Sequence, residues 1–269
     1  VRRARRTLGA PHPSWRWYAA SLSLLVLALL AVPPLAAGVS PLAFRLFHLH
    51  ANTLGFVGLA ALGTLPVLLP TALGKPDPQA APWLRRRLFV AVAGVLFVSL
   101  GAALWWPLTL VGGSFLAVLS LGLLAHWWRA FTPGVLFADG ASTSLAAALA
   151  GYGALLLAGA LHGARLAVAD GMVLGFGAAF LLPLVSGALS QLLPVWRFPG
   201  PISPARQEMR RCLVRFGRLR AFLFPLAGAA CIVDYIPVAL LLAAAGLLLF
   251  AVDLVSALAI ALRVPPPAR

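Results

Sequence analysis

Residues 47–70 read FHLHANTLGFVGLAALGTLPVLLP, a run without aspartate, glutamate, lysine or arginine that opens on His48, His50 and Asn52. At 1.5 Å of rise per residue, one helix of this length crosses a hydrocarbon core about 30 Å thick. The stretch belongs to a longer apolar run, 44–72. Seven others of similar character accompany it, at 17–38, 88–107, 108–128, 141–162, 166–195, 213–233 and 236–262. The expected architecture is therefore an all-α, polytopic transmembrane helix bundle of about eight spans.

Composition agrees with that reading. Of 269 residues, 62% are hydrophobic and 10% are charged, whereas a soluble domain carries about 25% charged residues. The net charge is +15, which by itself would suit a nucleic-acid binder. The arginines stand in blocks between apolar runs, however: Arg2, Arg3, Arg5 and Arg6, then Arg85, Arg86 and Arg87, then Arg206 to Arg220. That is the placement expected of cytoplasmic segments facing anionic lipid. No soluble basic module exists to read a nucleic acid.

Counting basic residues in each connection orients the chain. The amino-terminal tail (1–16), the 73–87, 129–140 and 196–212 loops and the carboxy-terminal tail (263–269) hold almost all of them. The alternate connections hold Arg45, none, Arg165 and none. An even number of spans with both termini cytoplasmic satisfies this alternation in a bacterial-type inner (plasma) membrane. The basic residues before the first run imitate a signal peptide. Because 17–38 is about twice the length of a normal signal core, it reads as a retained first helix. The third and fourth spans divide at Trp105-Trp106-Pro107 in a very tight turn.

The chain also echoes itself. Leu54-Gly55-Phe56 followed by Gly63-Thr64-Leu65-Pro66-Val67-Leu68-Leu69-Pro70 in the second span matches Leu174-Gly175-Phe176 followed by Gly187-Ala188-Leu189-Ser190-Gln191-Leu192-Leu193-Pro194 in the sixth. Four spans separate the copies and both run from outside to inside. A duplicated four-helix unit with parallel halves, 17–128 and 141–262, is the expected organisation; chance convergence of Leu- and Gly-rich helices is the alternative.

Polar groups inside a bilayer are costly and so become candidate sites. At about 100° per residue, His48 and Asn52 share a face while His50 points nearly opposite, so one helix cannot chelate a single metal with both imidazoles. His162 closes the fifth span at the same outer level and is a candidate second ligand. His126 lies about 25–30 Å away across the bilayer. Neutral imidazole ligates haem iron, and a haem among helices is a plausible occupant; interfacial hydrogen bonding is the competing role. Asp253, the only acid well inside an apolar run, would relay a proton, hold a cation or pair with an arginine. Gln191, Ser186, Ser190 and Thr64 are expected to join helices by hydrogen bonds. Cys212 and Cys231 stand about 28 Å apart along one helix, too far for a disulfide. Phosphate-cradling loops, nucleophile elbows and Cys/His zinc spacings are missing from the sequence.

The pattern His48-x-His50-x-Asn52-x-x-Gly55-Phe56, continuing through Gly63-Thr64-Leu65 to Leu69-Pro70-Thr71, resembles the haem-copper-oxidase-like membrane proteins. More narrowly, it is similar to the short subunit-I-like and NnrS-like modules found beside bacterial denitrification and copper-enzyme genes. The resemblance covers spans two and six. It implies haem b, with copper as the other metal, held by His50 and by His48 or His162 with Asn52 nearby. It also implies partners among respiratory or denitrification subunits, or a redox protein on the outer face. This chain has fewer spans and fewer histidines than a complete oxidase, so reduction of dioxygen or nitric oxide by it alone is not expected. A cofactor-free assembly or anchor subunit, and a small-solute or metal-ion transporter built around Asn52, Gln191 and Asp253, are the alternative functions.

Overall fold

The computed structural model describes residues 12–164 and 171–263. Arg2, Arg3, Arg5 and Arg6, Arg165, Asp170 and residues 264–269 lie outside the described residues. Among the described residues every regular element is a helix. Six long helices, α1 (Ser14–Ala36), α2 (Pro41–Ala72), α3 (Ala80–Leu104), α4 (Trp106–Ala130), α5 (Gly140–Gly163) and α6 (Met172–Arg197), with a single turn at Pro133–Leu136 between α4 and α5, are followed by α7 (Pro204–Val214), α8 (Gly217–Ile232) and α9 (Ile236–Arg263). All but α7 and α8 are long and apolar enough to cross a membrane. The protein is a multi-pass helical membrane bundle.

Two boundaries differ from expectation for physical reasons. The run 213–233 is not one helix: α7 stops at Val214 and α8 starts at Gly217, because the Phe216 N–H leaves the helical ladder for a carboxylate of α9. The sixteen residues of α8 rise about 24 Å, slightly short of a full hydrocarbon crossing. The third helix begins at Ala80, eight residues before its apolar run, so Arg85, Arg86 and Arg87 are helical. Arginine is a good helix former and can hold its charge at the interface on a long apolar stem. The turn between α3 and α4 is the extended residue Trp105 alone. It is permitted by close backbone approach at Gly101, where an added Cβ would collide with Thr109.

The chain divides into two compact units. Unit 1 comprises residues 1–67, 76–119 and 160–167, and unit 2 comprises 68–75, 120–159 and 168–269. In unit 1, Trp17 of α1 is fully buried, stacks on Trp83 at 5.6 Å and donates its indole N–H to the Leu84 carbonyl of α3 at 2.9 Å. In unit 2, Ser144 of α5 reaches the Gly217 carbonyl of α8 at 3.2 Å while also bonding Gly140.

The two spans that share the sequence echo share a backbone irregularity. A π-helical segment occupies Ala51–Gly58 of α2 and another occupies Phe176–Leu181 of α6. The wider π turn leaves local carbonyls without regular partners, and in unit 1 the Ser21 hydroxyl takes the Phe56 carbonyl at 2.6 Å. Gly55 lies between Leu24 of α1 and Val95 of α3, and Gly175 between Leu155 of α5 and Ile232 of α8. One turn or more below, Gly63 meets the Trp17 side chain near the start of α1, and Gly187 meets Ser144 and Ala141 near the start of α5. Small residues at such crossings let helices approach where lipid provides no hydrophobic drive.

Candidate functional site

The polar groups fall into two sites, one in each unit. In unit 1, α2 is α-helical through His50 and turns π-helical at Ala51. His48 and His50 are half-buried. The Nδ1 of His48 lies 2.8 Å from the Ala28 carbonyl of α1, and the Nδ1 of His50 lies 2.8 Å from the Leu46 carbonyl of its own helix. A carbonyl only accepts, so in the neutral rings Nδ1 carries the proton and Nε2 carries the lone pair. Neither Nε2 has a hydrogen-bond partner among the described residues. The ring orientations are thus fixed by backbone, and each leaves one acceptor nitrogen open. Asn52 is half-buried and its amide makes no hydrogen bond among the described residues.

Beside this turn is a cavity of about 420 Å³. It is lined by Leu27, Leu30 and Ala31 of α1, Phe44 and Phe47 of α2, and Leu100, Ala103 and Leu104 of α3, with Ser40 and Ala43 completing the wall. Its volume is that of a ligand pocket, typically about 300–1,000 Å³. Along α2 the wall residues Ser40, Ala43, Phe44 and Phe47 form one line, and fully buried Ala51 continues it. His48 follows Phe44 by one turn and His50 follows Phe47 by three residues, so they leave the helix on either side of that line. The ring of His48 faces the turn of α1 that supplies Leu27 and Ala31.

His162 is exposed in the last turn of α5, within the segment 160–167 that joins unit 1. Among the described residues no three His, Cys, Asp or Glu side chains converge where they could hold a metal ion. A metal bound here by protein alone would have at most two such ligands. Neither imidazole is among the residues that line the cavity, so an open imidazole nitrogen and an apolar slot lie on neighbouring turns of α2. These residues do not form a three-ligand copper site.

In unit 2, Asp253 of α9 is fully buried and its carboxylate is completely engaged. Oδ1 accepts from Arg215 Nε at 3.1 Å. Oδ2 accepts from the Phe216 N–H at 3.2 Å and from Nη1 of fully buried Arg220. Arg220 also donates through Nη2 to the Leu213 carbonyl at 2.8 Å and lies 3.4 Å from Ser190 Oγ, with its guanidinium 4.9 Å from the Phe250 ring centre. Gln191 accepts from Arg210 Nε at 3.1 Å. The same arginine caps the end of α2 at the Ala72 carbonyl, 2.8 Å away, and pairs with Asp139 at 2.9 Å. Asp253 and Gln191 therefore each sit in an arginine-bound cluster, and both carboxylate oxygens of Asp253 accept at least one hydrogen bond.

Sequence reading had not selected Arg210, Arg215, Arg220 and Asp139. A usable signal existed for Arg220, an arginine inside a run otherwise read as a span, as Asp253 was an acid inside another. The π segments carry no comparable signal beyond the repeated Leu-Gly-Phe. In comparisons with protein-family models, curated proteins and solved structures, nothing matches this chain.

Proposed function

We propose that the chain is an integral-membrane haem-b-binding module with an electron-transfer or accessory role, holding its cofactor in the apolar cavity of unit 1. The observation that carries this reading is the pinned tautomer: Nδ1–H of His50 is spent on a backbone carbonyl, leaving Nε2 as an open lone pair inside a membrane-spanning helix. Metal-ligating histidines characteristically donate the other ring N–H to a carbonyl or carboxylate, which fixes the ring and raises its basicity. His50 would hold the haem iron through Nε2 in this proposal. Its orienting bond is internal to α2, whereas His48 ties α2 to α1 and serves first as a positioning residue. Leu27, Leu30, Phe44, Phe47, Leu100 and Leu104 exclude water from the slot, and Asn52 offers an unpartnered amide near the site. When bound, the haem supplies a one-electron couple.

The same reading places both termini on the cytoplasmic side of a bacterial-type inner membrane, with the His48–Asn52 turn in the outer leaflet. A redox protein on the outer face, or a respiratory or denitrification subunit, would be the exchange partner. It treats α1–α4 and α5–α9 as descendants of one four-helix unit, supported by the paired π segments and matching glycine contacts. The test is the visible spectrum and metal content of the purified chain. We expect reduced Soret and α bands that vanish in His50→Ala, and iron rather than copper by elemental analysis. A colourless protein that co-purifies with a redox enzyme would overturn the haem reading in favour of an anchor subunit.

A further inference from the structure

Most arginines around α7 and α8 are engaged within the protein, exposed Arg211 excepted, whereas those at the start of α3 are not. In unit 2, Arg206, Arg210, Arg215, Arg218 and Arg220 all donate to internal partners: the Gly200 carbonyl, Gln191 with Ala72 and Asp139, Asp253, the Ala138 carbonyl, and Asp253 again. In unit 1, Arg85, Arg86 and Arg87 are exposed and make no hydrogen bond or ion pair among the described residues. The acid nearest them in sequence, Asp77, accepts the Gln79 N–H at the preceding turn. A fourth cation, Arg16, is exposed in the first turn of α1 beside the Trp15 ring. The Trp17 bond to Leu84 puts that turn level with the arginines.

What lies next to these charges along the helix identifies the ligand. Phe89 follows Arg85 by four residues and Arg86 by three, so it continues the same face, and it is 84% exposed. A surface that is cationic for one turn and apolar below it complements an amphiphile with an anionic head and a hydrocarbon tail. A nucleic acid or a free anion would leave Phe89 uncovered. Arg87, two residues from Arg85, points to the opposite side of the helix. We propose that Arg85 and Arg86, with Phe89, form a binding site for an anionic phospholipid, its phosphate at the two guanidinium groups and an acyl chain along Phe89. The site is independent of the imidazole site and of any cofactor.

The test uses the full chain in mixed micelles, comparing bound phosphatidylglycerol with phosphatidylcholine by native mass spectrometry. Native protein should retain phosphatidylglycerol preferentially, and the preference should weaken as ionic strength rises. Arg85→Gln/Arg86→Gln should reduce the preference about thirtyfold, from the usual contribution of each basic residue near an anionic surface. Arg85→Lys/Arg86→Lys should retain most of it, which separates charge from folding, and Arg87→Gln on the opposite face should change it much less than the double glutamine variant. The proposal is overturned if the double glutamine variant keeps the native preference, if the lysine variant loses it, or if inorganic phosphate displaces the lipid.

Discussion

Replacing Asp253 by alanine would leave Arg220 with no countercharge at a position without solvent access. Removing one member of a buried ion pair typically costs about 3–5 kcal/mol, because the remaining charge stays desolvated. The Phe216 N–H at the start of α8 loses its acceptor in the same substitution, and such caps are worth about 1 kcal/mol. A loss toward the upper end of that range is therefore expected. Arg215→Ala removes the other arm of the same carboxylate, but its side chain is 47% exposed and its pair is worth about 0–1 kcal/mol. The decisive variant is the double replacement Arg220→Met/Asp253→Leu, which removes both buried charges and should recover most of the loss, since an apolar substitute for a buried pair is often neutral. Equilibrium unfolding of the full chain in mixed micelles, followed by helical circular dichroism, measures all three. The reasoning fails if Asp253→Ala lies within about 1 kcal/mol of native, or if the double variant is no more stable than Asp253→Ala.

Other outcomes follow from contacts of different kinds. A Cβ at Gly151 of α5 would run into the Ala179 carbonyl, so Gly151→Ala should cost about 1–3 kcal/mol, while Gly113→Ala, facing open space, should be neutral or mildly stabilising; paired melting curves compare them. Trp17→Phe keeps most of the buried ring but loses the bond to Leu84, for an expected cost of about 0.5–1.5 kcal/mol plus cavity effects in the same unfolding assay. His48→Ala should lower stability by breaking the tie to Ala28, whereas His50→Ala should abolish the visible bands with little change in unfolding; equal stability losses in the two would contradict the roles assigned to them.

The membrane architecture was readable because it depends on bulk quantities: eight apolar runs, with most charges in the connections. Within the Leu-Gly-Phe echo, Gly55 sits where a Cβ would press on Leu24 and Val95, whereas Gly175 has room for one. The split of 213–233 was hidden by averaging. Arg215, Arg218 and Arg220 are few beside the neighbouring Leu, Phe and Ala, so the run looks continuous, yet Asp253 gathers Arg215, Phe216 and Arg220 and breaks the helix there. Periodicity placed His48 and His50 on opposite faces of α2 but held nothing about the carbonyls that orient them. Those depend on how closely α1 lies against α2 at Ala28.

The contrast between the units bears on where activity can reside. In hydrocarbon, a polar group with all its bonds made is part of the framework, and one with a bond left open carries a standing cost unless something binds it. Asp253 has three donors, Arg215, the Phe216 N–H and Arg220, while Arg220 Nε is buried without a partner among the described residues. At His48 and His50 each imidazole is oriented by one bond and left open at the other nitrogen, next to a 420 Å³ apolar cavity. Because Nε2 is the acceptor, whatever occupies it must be a Lewis acid or a hydrogen-bond donor.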